Sequence, residues 1–153
     1  PEEVFAAGVL HDLPEALLHR VAPEVYCRVS MYSVRQQISF ANAFYRLFKN
    51  PLSSLGVLMM EAWKLPTMFS TVIQHQDEPW LYPDEYTALC CINYADFLSE
   101  QAGFGKMPDP IAVQALPDVA DEVALPEEER LASIEAVGNK VEDLHNDCLN
   151  KAA

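Results

Sequence analysis

The sequence predicts an all-α fold, and three observations predict it. Apolar residues recur at helical rather than alternating spacing in almost every segment. Strong helix formers fill the intervals between them, and Pro and Gly punctuate the chain where one helix would give way to the next. With 153 residues, half of them apolar, the chain can bury one substantial core, and a single helical domain over residues 1–153 is the expectation.

The elements follow in order. A first helix runs from about Glu2 to His11. Asp12, Leu13, Pro14 and Glu15 fit a capping box, with Asp12 as N-cap and Glu15 at the third helical position, and Pro14 is tolerated in a first turn. The short second helix then offers Leu17, Leu18 and Val21 to a core, and Pro23 closes it. From Glu24 to Phe48, Val25, Val29, Ile38, Ala41, Phe44, Tyr45 and Phe48 give one or two helices with a break expected near Ser33. Asn50-Pro51 starts the next, which ends at Trp63-Lys64-Leu65-Pro66, where proline stops propagation and Trp63 is expected to close the last turn against the core. A helix from Thr67 to about His75 comes next. Asp77 to Pro83 carries two prolines and reads as an ordered loop, and Asp84 is the expected cap of a helix that runs through Asp96 to about Ala102 and ends at Gly103 and Gly105. A proline-punctuated stretch from Pro108 to Pro126 leads to a long amphipathic helix over about 127–150, with Leu131, Ile134, Val137, Val141 and Leu144 on its apolar face.

Charge narrows the function classes. The formal charge of −13, from 23 acidic and 10 basic residues, leaves little positive potential to meet a polyphosphate, so nucleic acid is not an expected partner. Part of the excess, Glu127-Glu128-Glu129, suits the positive end of a helix dipole. No apolar run approaches the roughly 18 residues of a membrane span, and no signal-peptide pattern is present, so a cytoplasmic, membrane-free protein is expected. Cys27, Cys90, Cys91 and Cys148 form no CxxC pair and read as small buried apolar residues of a reducing compartment, with Cys90 and Cys91 on different sides of a helix.

The residues with chemistry to offer begin at His11-Asp12. A neutral imidazole and an adjacent carboxylate can ligate one divalent cation, but two ligands do not complete a site. His11, Glu15 and His19 share helical spacing, yet Pro14 between the first two argues against one metal-binding face. His75 reads as a helix-end histidine bonded to a carbonyl, and Asp96 as an acid on an otherwise apolar helix face near Ile92 and Ala95. Trp80, Tyr82 and Tyr86, beside two prolines, are the candidate exposed surface for a partner.

Several separated pieces of the chain resemble the HDOD domain, the HD-related output domain of bacterial signalling proteins. Gly8-Val9-Leu10-His11-Asp12 is similar to that family's G-L-L-H-D helix end. The stretch from Leu55 through Gly56, Leu58 and Trp63 to Leu65-Pro66 resembles its v-G-a-x-L-x-x-x-W-x-L-P helix, the most specific match. Val72-Ile73-Gln74-His75-Gln76 stands where the family has I-x-x-H-H, and Ile92 to Leu98 resembles its h-x-A-D-x-L helix. The resemblance spans residues 3 to about 145 and implies a multi-helix, HD-domain-like bundle. It further implies that this chain is the C-terminal two-thirds of the domain, lacking an N-terminal helical part, an expectation that fits a start at Pro1 with the helical pattern already running by Val4.

The metal-binding relatives use an upstream histidine, the His-Asp doublet and a distal aspartate. This chain supplies His11, Asp12 and Asp96 for a single Fe, Mn or Ni ion, and the upstream histidine would precede Pro1; without a metal, the resemblance makes Asp96 a partly buried remnant that hydrogen-bonds His11 or Asp12 and holds helices in register. Leu52 and Gln76 stand where multi-metal relatives have further histidines, which removes imidazole ligands. Active relatives commonly place Gly then Lys after the doublet, whereas Pro14 and Glu15 stand there in this chain, and the acid would repel a phosphate. The resemblance therefore implies a non-catalytic bacterial signalling module with no cofactor. It would bind a protein partner or small ligand through a relic of the HD pocket at His11, Asp12, His75 and Asp96. The alternative is a residual metal-dependent phosphohydrolase acting on a nucleotide or phosphoester. The apolar stripe of the last helix suits either the rest of the fold or a second copy in a homodimer.

Overall fold

The computed structural model describes residues 2–104, 119, 123 and 125–152, with side chains as far as residue 143 in the last helix. The described residues are helical, with no strand among them. In chain order the elements are α1 (Glu2–Leu10), α2 (Leu13–Val21), α3 (Pro23–Gln36), α4 (Phe40–Phe48), α5 (Ser53–Ala62), α6 (Thr67–His75), a one-turn 3-10 helix (Pro79–Leu81), α7 (Tyr86–Gln101) and α8 (Glu127–Ala152).

Two apolar clusters organise them. Ala7 of α1, Met60 of α5, Phe69, Val72 and Ile73 of α6, and Leu89 and Ile92 of α7 form the first. Leu18 of α2, Val29 of α3, Phe40, Ala43 and Phe44 of α4, and Leu52 form the second. Fully burying a side chain of this size contributes roughly 1.5–3 kcal/mol, so these stripes rather than helix propensity hold the short helices in place.

The two clusters meet at Gly56. A Cβ on Gly56 would lie 2.7 Å from both Ile73 Cγ2 and Pro14 Cγ, so the missing side chain is what lets α5 approach α6 and the start of α2 together. Pro14, which the resemblance marks as a departure, is thus a buried packing residue in the first turn of α2.

Several local expectations change. Asp12 is the N-cap residue of α2, but its side chain makes no cap hydrogen bond, so the capping box does not form; its carbonyl accepts from the Glu15 and Ala16 amides instead. The break after α3 falls at Gln37, four residues beyond Ser33. Ser33 is buried and its hydroxyl donates to the Ile38 carbonyl at 2.6 Å, while Ser39 accepts from the Asn42 amide and caps α4. Asp84 does not cap α7: Glu85 precedes it, also without a side-chain cap bond. Trp63 is 54% exposed, because Lys64 turns left-handed (φ 56°) and Leu65, not Trp63, packs against the first cluster. Cys27 and Cys91 are exposed thiols and Cys90 alone of the three is buried, so the burial expected of all of them holds for one.

Gly103 ends α7 with φ +86°, and the Phe104 amide closes back on the Ser99 carbonyl at 2.9 Å, a glycine-dependent helix stop. Gly105, Cys148 and the side chain of Leu144 lie outside the described residues, as does nearly all of the proline-punctuated stretch, where Val119 alone is described as buried, against Cys90 and Tyr94.

Candidate functional site

His11 and Asp12 occupy the turn between α1 and α2, and the packing of α1 along α7, with Ile92 facing Gly8, brings Asp96 to the same place. The His11 Nδ1–H donates to the Gly8 carbonyl at 2.6 Å, which fixes the ring and aims Nε2 at the two acids. Nε2 stands 3.2 Å from Asp12 Oδ2 and 3.7 Å from Asp96 Oδ1. Nε2 is buried and neither approach is aligned as a hydrogen bond, so a basic nitrogen faces two carboxylates with its hydrogen-bonding capacity unmet.

This geometry has two chemical outcomes. One atom from each of His11, Asp12 and Asp96 lies within 4.8 Å of the others, and one imidazole with two carboxylates suits a divalent cation, while the Nδ1 bond to a carbonyl is the support that metal-ligating histidines usually have. Without a cation, a proton takes the place. Burial pushes the His11 pKa down, but the nearby carboxylates of Asp12 and then Asp96, with the Gly8 carbonyl, outweigh it and raise the pKa to about 10. Either way, a positive charge links α1 to α7.

Beside the doublet, Asp12, Glu15, Ala16, His19 and Tyr26 line an open depression of about 220 Å³. The hairpin of α2 and α3 across Ala22 brings Tyr26 over Glu15, whose Oε1 accepts from the phenol at a long 3.4 Å, and sets the Tyr26 ring 4.7 Å from that of His19. Burial and the Glu15 charge raise the Tyr26 pKa. No Arg or Lys is among the lining residues. Tyr26 carries no sequence signal beyond its place three residues after Pro23 on the returning helix. Glu15 and His19 both lie on α2 beyond Pro14, which sits in its first turn, and neither joins the three-residue group around His11.

His75 is not in the three-residue group within 4.8 Å. Its ring stacks on Tyr82, centroids 3.9 Å apart at 26°, in place of the expected carbonyl bond, and burial lowers its pKa against the opposing charge of Glu78. The aromatic trio divides. Trp80 is 54% exposed beside an equally exposed Leu81, whereas Tyr82 packs on the first apolar cluster and Tyr86 on the one around Cys90.

The HDOD domain family model matches residues 1–79, just over half of the chain. The chain belongs to the HDOD family. It is thus an HD-related, signalling-associated domain. No curated protein and no solved structure matches the chain. The HDOD match takes in α1 to α6 with His11, Asp12 and His75; Asp96 lies beyond it on α7 and joins the doublet through the fold. No helix among the described residues is long and apolar enough to cross a membrane.

Proposed function

We propose that this HDOD domain is a non-catalytic signal-transduction module that binds a protein partner or a small ligand through the remnant of the HD pocket. One observation carries the reading: the depression that opens beside the doublet is walled by the carboxylates of Asp12 and Glu15, with no Arg or Lys in its lining. Phosphoester hydrolysis develops negative charge on phosphate oxygens and needs cations or donors placed against it. Acidic walls oppose both the approach of such a substrate and its transition state. Pro14 supports the same view, because it packs against Gly56 where a flexible turn before a cationic residue would serve catalysis.

The closeness of His11, Asp12 and Asp96 favours a second reading, a residual metal-dependent phosphohydrolase with a single Fe, Mn or Ni ion. Such an ion would be held by those three residues and would supply Lewis acidity and an activated water. The test offers the protein, purified without chelator and then supplied with each metal, a panel of nucleotides and phosphodiesters. No turnover above that of His11→Ala is expected. Turnover that depends on both His11 and Asp96 would overturn the non-catalytic reading.

A further inference from the structure

The segment between α6 and α7 is anchored at both ends and bare in the middle. Pro79 is fully buried, and the Tyr82 ring stacks on His75 and packs against the first apolar cluster. The Glu78 amide donates to the His75 carbonyl, that of Tyr82 to Pro79 and that of Glu85 to Tyr82, so the one-turn 3-10 helix is fixed from both sides. Trp80 and Leu81, between the two anchors, are each more than half exposed. Two large apolar side chains on an ordered turn add little to the core, and they present a surface whose shape is set before anything meets it.

Negative charge flanks this turn. Asp77 and Glu78 precede it, Asp84 and Glu85 follow it, and between Lys64 and Lys106 the sequence holds six acidic residues and no Lys or Arg. Among the described residues, no Lys or Arg forms a salt bridge with Glu78, Asp84 or Glu85. The fold therefore supplies no cation in contact with these three carboxylates, and the charge beside Trp80 is left for another molecule to meet.

Charge complementarity selects the occupant. A second copy of this chain would bring a further formal charge of −13, and nucleic acid or an anionic bilayer would bring the same sign, so each meets repulsion. A wholly apolar partner would strip water from the carboxylates and offer no counter-charge. We propose that Trp80 and Leu81 form the centre, and Glu78, Asp84 and Glu85 the rim, of a docking site for a basic segment of another protein, one that carries an apolar residue between Lys or Arg. The apolar residue covers Leu81, and the cations lie against the indole face and the carboxylates, contacts that reinforce each other as water is excluded. The inference goes beyond the reading of the HD pocket and does not depend on it.

The surface is small, so a weak and reversible complex is expected. The chain has two tryptophans, and Trp63→Phe leaves Trp80 as the sole reporter. Titrated with a panel of synthetic peptides in which Lys or Arg flank one aromatic or aliphatic residue, its emission should shift to the blue, with an affinity that falls as salt rises. In calorimetry on the otherwise native chain, Trp80→Ala with Leu81→Ala should weaken binding by about tenfold or more. Glu78→Lys with Asp84→Lys should also weaken it, whereas Glu128→Lys with Glu129→Lys, the same change in net charge at the exposed start of α8, should leave it nearly unchanged. Circular dichroism confirms the helix content of each variant. No blue shift with any peptide of the panel, equal binding of peptides with Glu in place of Lys and Arg, or an affinity indifferent to the loss of Trp80 and Leu81 would overturn the proposal. A loss reproduced by the α8 pair would mean that binding follows net charge alone, and would overturn it as well.

Discussion

His11 Nε2 stands 3.7 Å from Asp96 Oδ1, and this approach ties the turn after α1 to the middle of α7. It also draws into the site a residue outside the HDOD match. Because Nδ1 is committed to Gly8, the charge state of Nε2 decides whether the link is an ion pair.

In metal-free protein His11 should therefore remain an imidazolium through neutral pH and titrate near pH 10, as followed by ring nitrogen NMR. The folded pKa lies above the ordinary value of 6.5, so the stabilisation from this group is complete below about pH 6.5 and is lost as pH rises through about 10. Asp96→Asn should move the titration downward and flatten that part of the stability profile. A His11 titration unchanged by Asp96→Asn would contradict the ion pair.

His75 behaves in the opposite sense. Its pKa is lowered, so it favours the neutral ring in the fold, and its contribution is present above the ordinary value and lost as pH falls below it. Replacing Tyr82 by Ala removes the stacked ring and should raise the His75 pKa toward the ordinary value, which the same NMR experiment would register.

Gly56→Ala should destabilise the fold by roughly 1–3 kcal/mol, because the new methyl meets Ile73 and Pro14 at 2.7 Å. Ile73→Val retains Cγ2, so it should relieve only the further 3.1 Å contact with Cδ1. Combined with Gly56→Ala in a denaturation cycle, it should recover part of the loss, and strict additivity would show that the strain lies elsewhere.

Lys49→Gly should stabilise the protein by about 1 kcal/mol. Lys49 is exposed and holds φ 58° at the end of α4, where its amide bonds to the Tyr45 carbonyl at 2.8 Å, a bond that glycine keeps. A lower denaturation midpoint would show that the side chain contributes more than its backbone costs.

The sequence by itself determined the helices, most of their boundaries and the residues His11 and Asp12, because spacing at three and four residues and the positions of Pro and Gly are local properties. Prolines placed the starts of α2 and α3 and the gap between α5 and α6. Local rules failed where a side chain had a choice between its own helix and a neighbour. The Asp12 carboxylate, free by sequence to cap α2, turns to His11, since a buried imidazole with a high pKa offers a charged partner that an amide does not. Trp63 matched a family motif and a closing aromatic, yet the left-handed turn at Lys64 gives the interior to Leu65. The depression of Asp12, Glu15, His19 and Tyr26 exists only because α3 folds back on α2, and the cluster with Asp96 only because α1 lies along α7. Those are decisions of packing between helices, which depend on shape at contacts such as Gly56 with Pro14, and no periodicity within one segment encodes them.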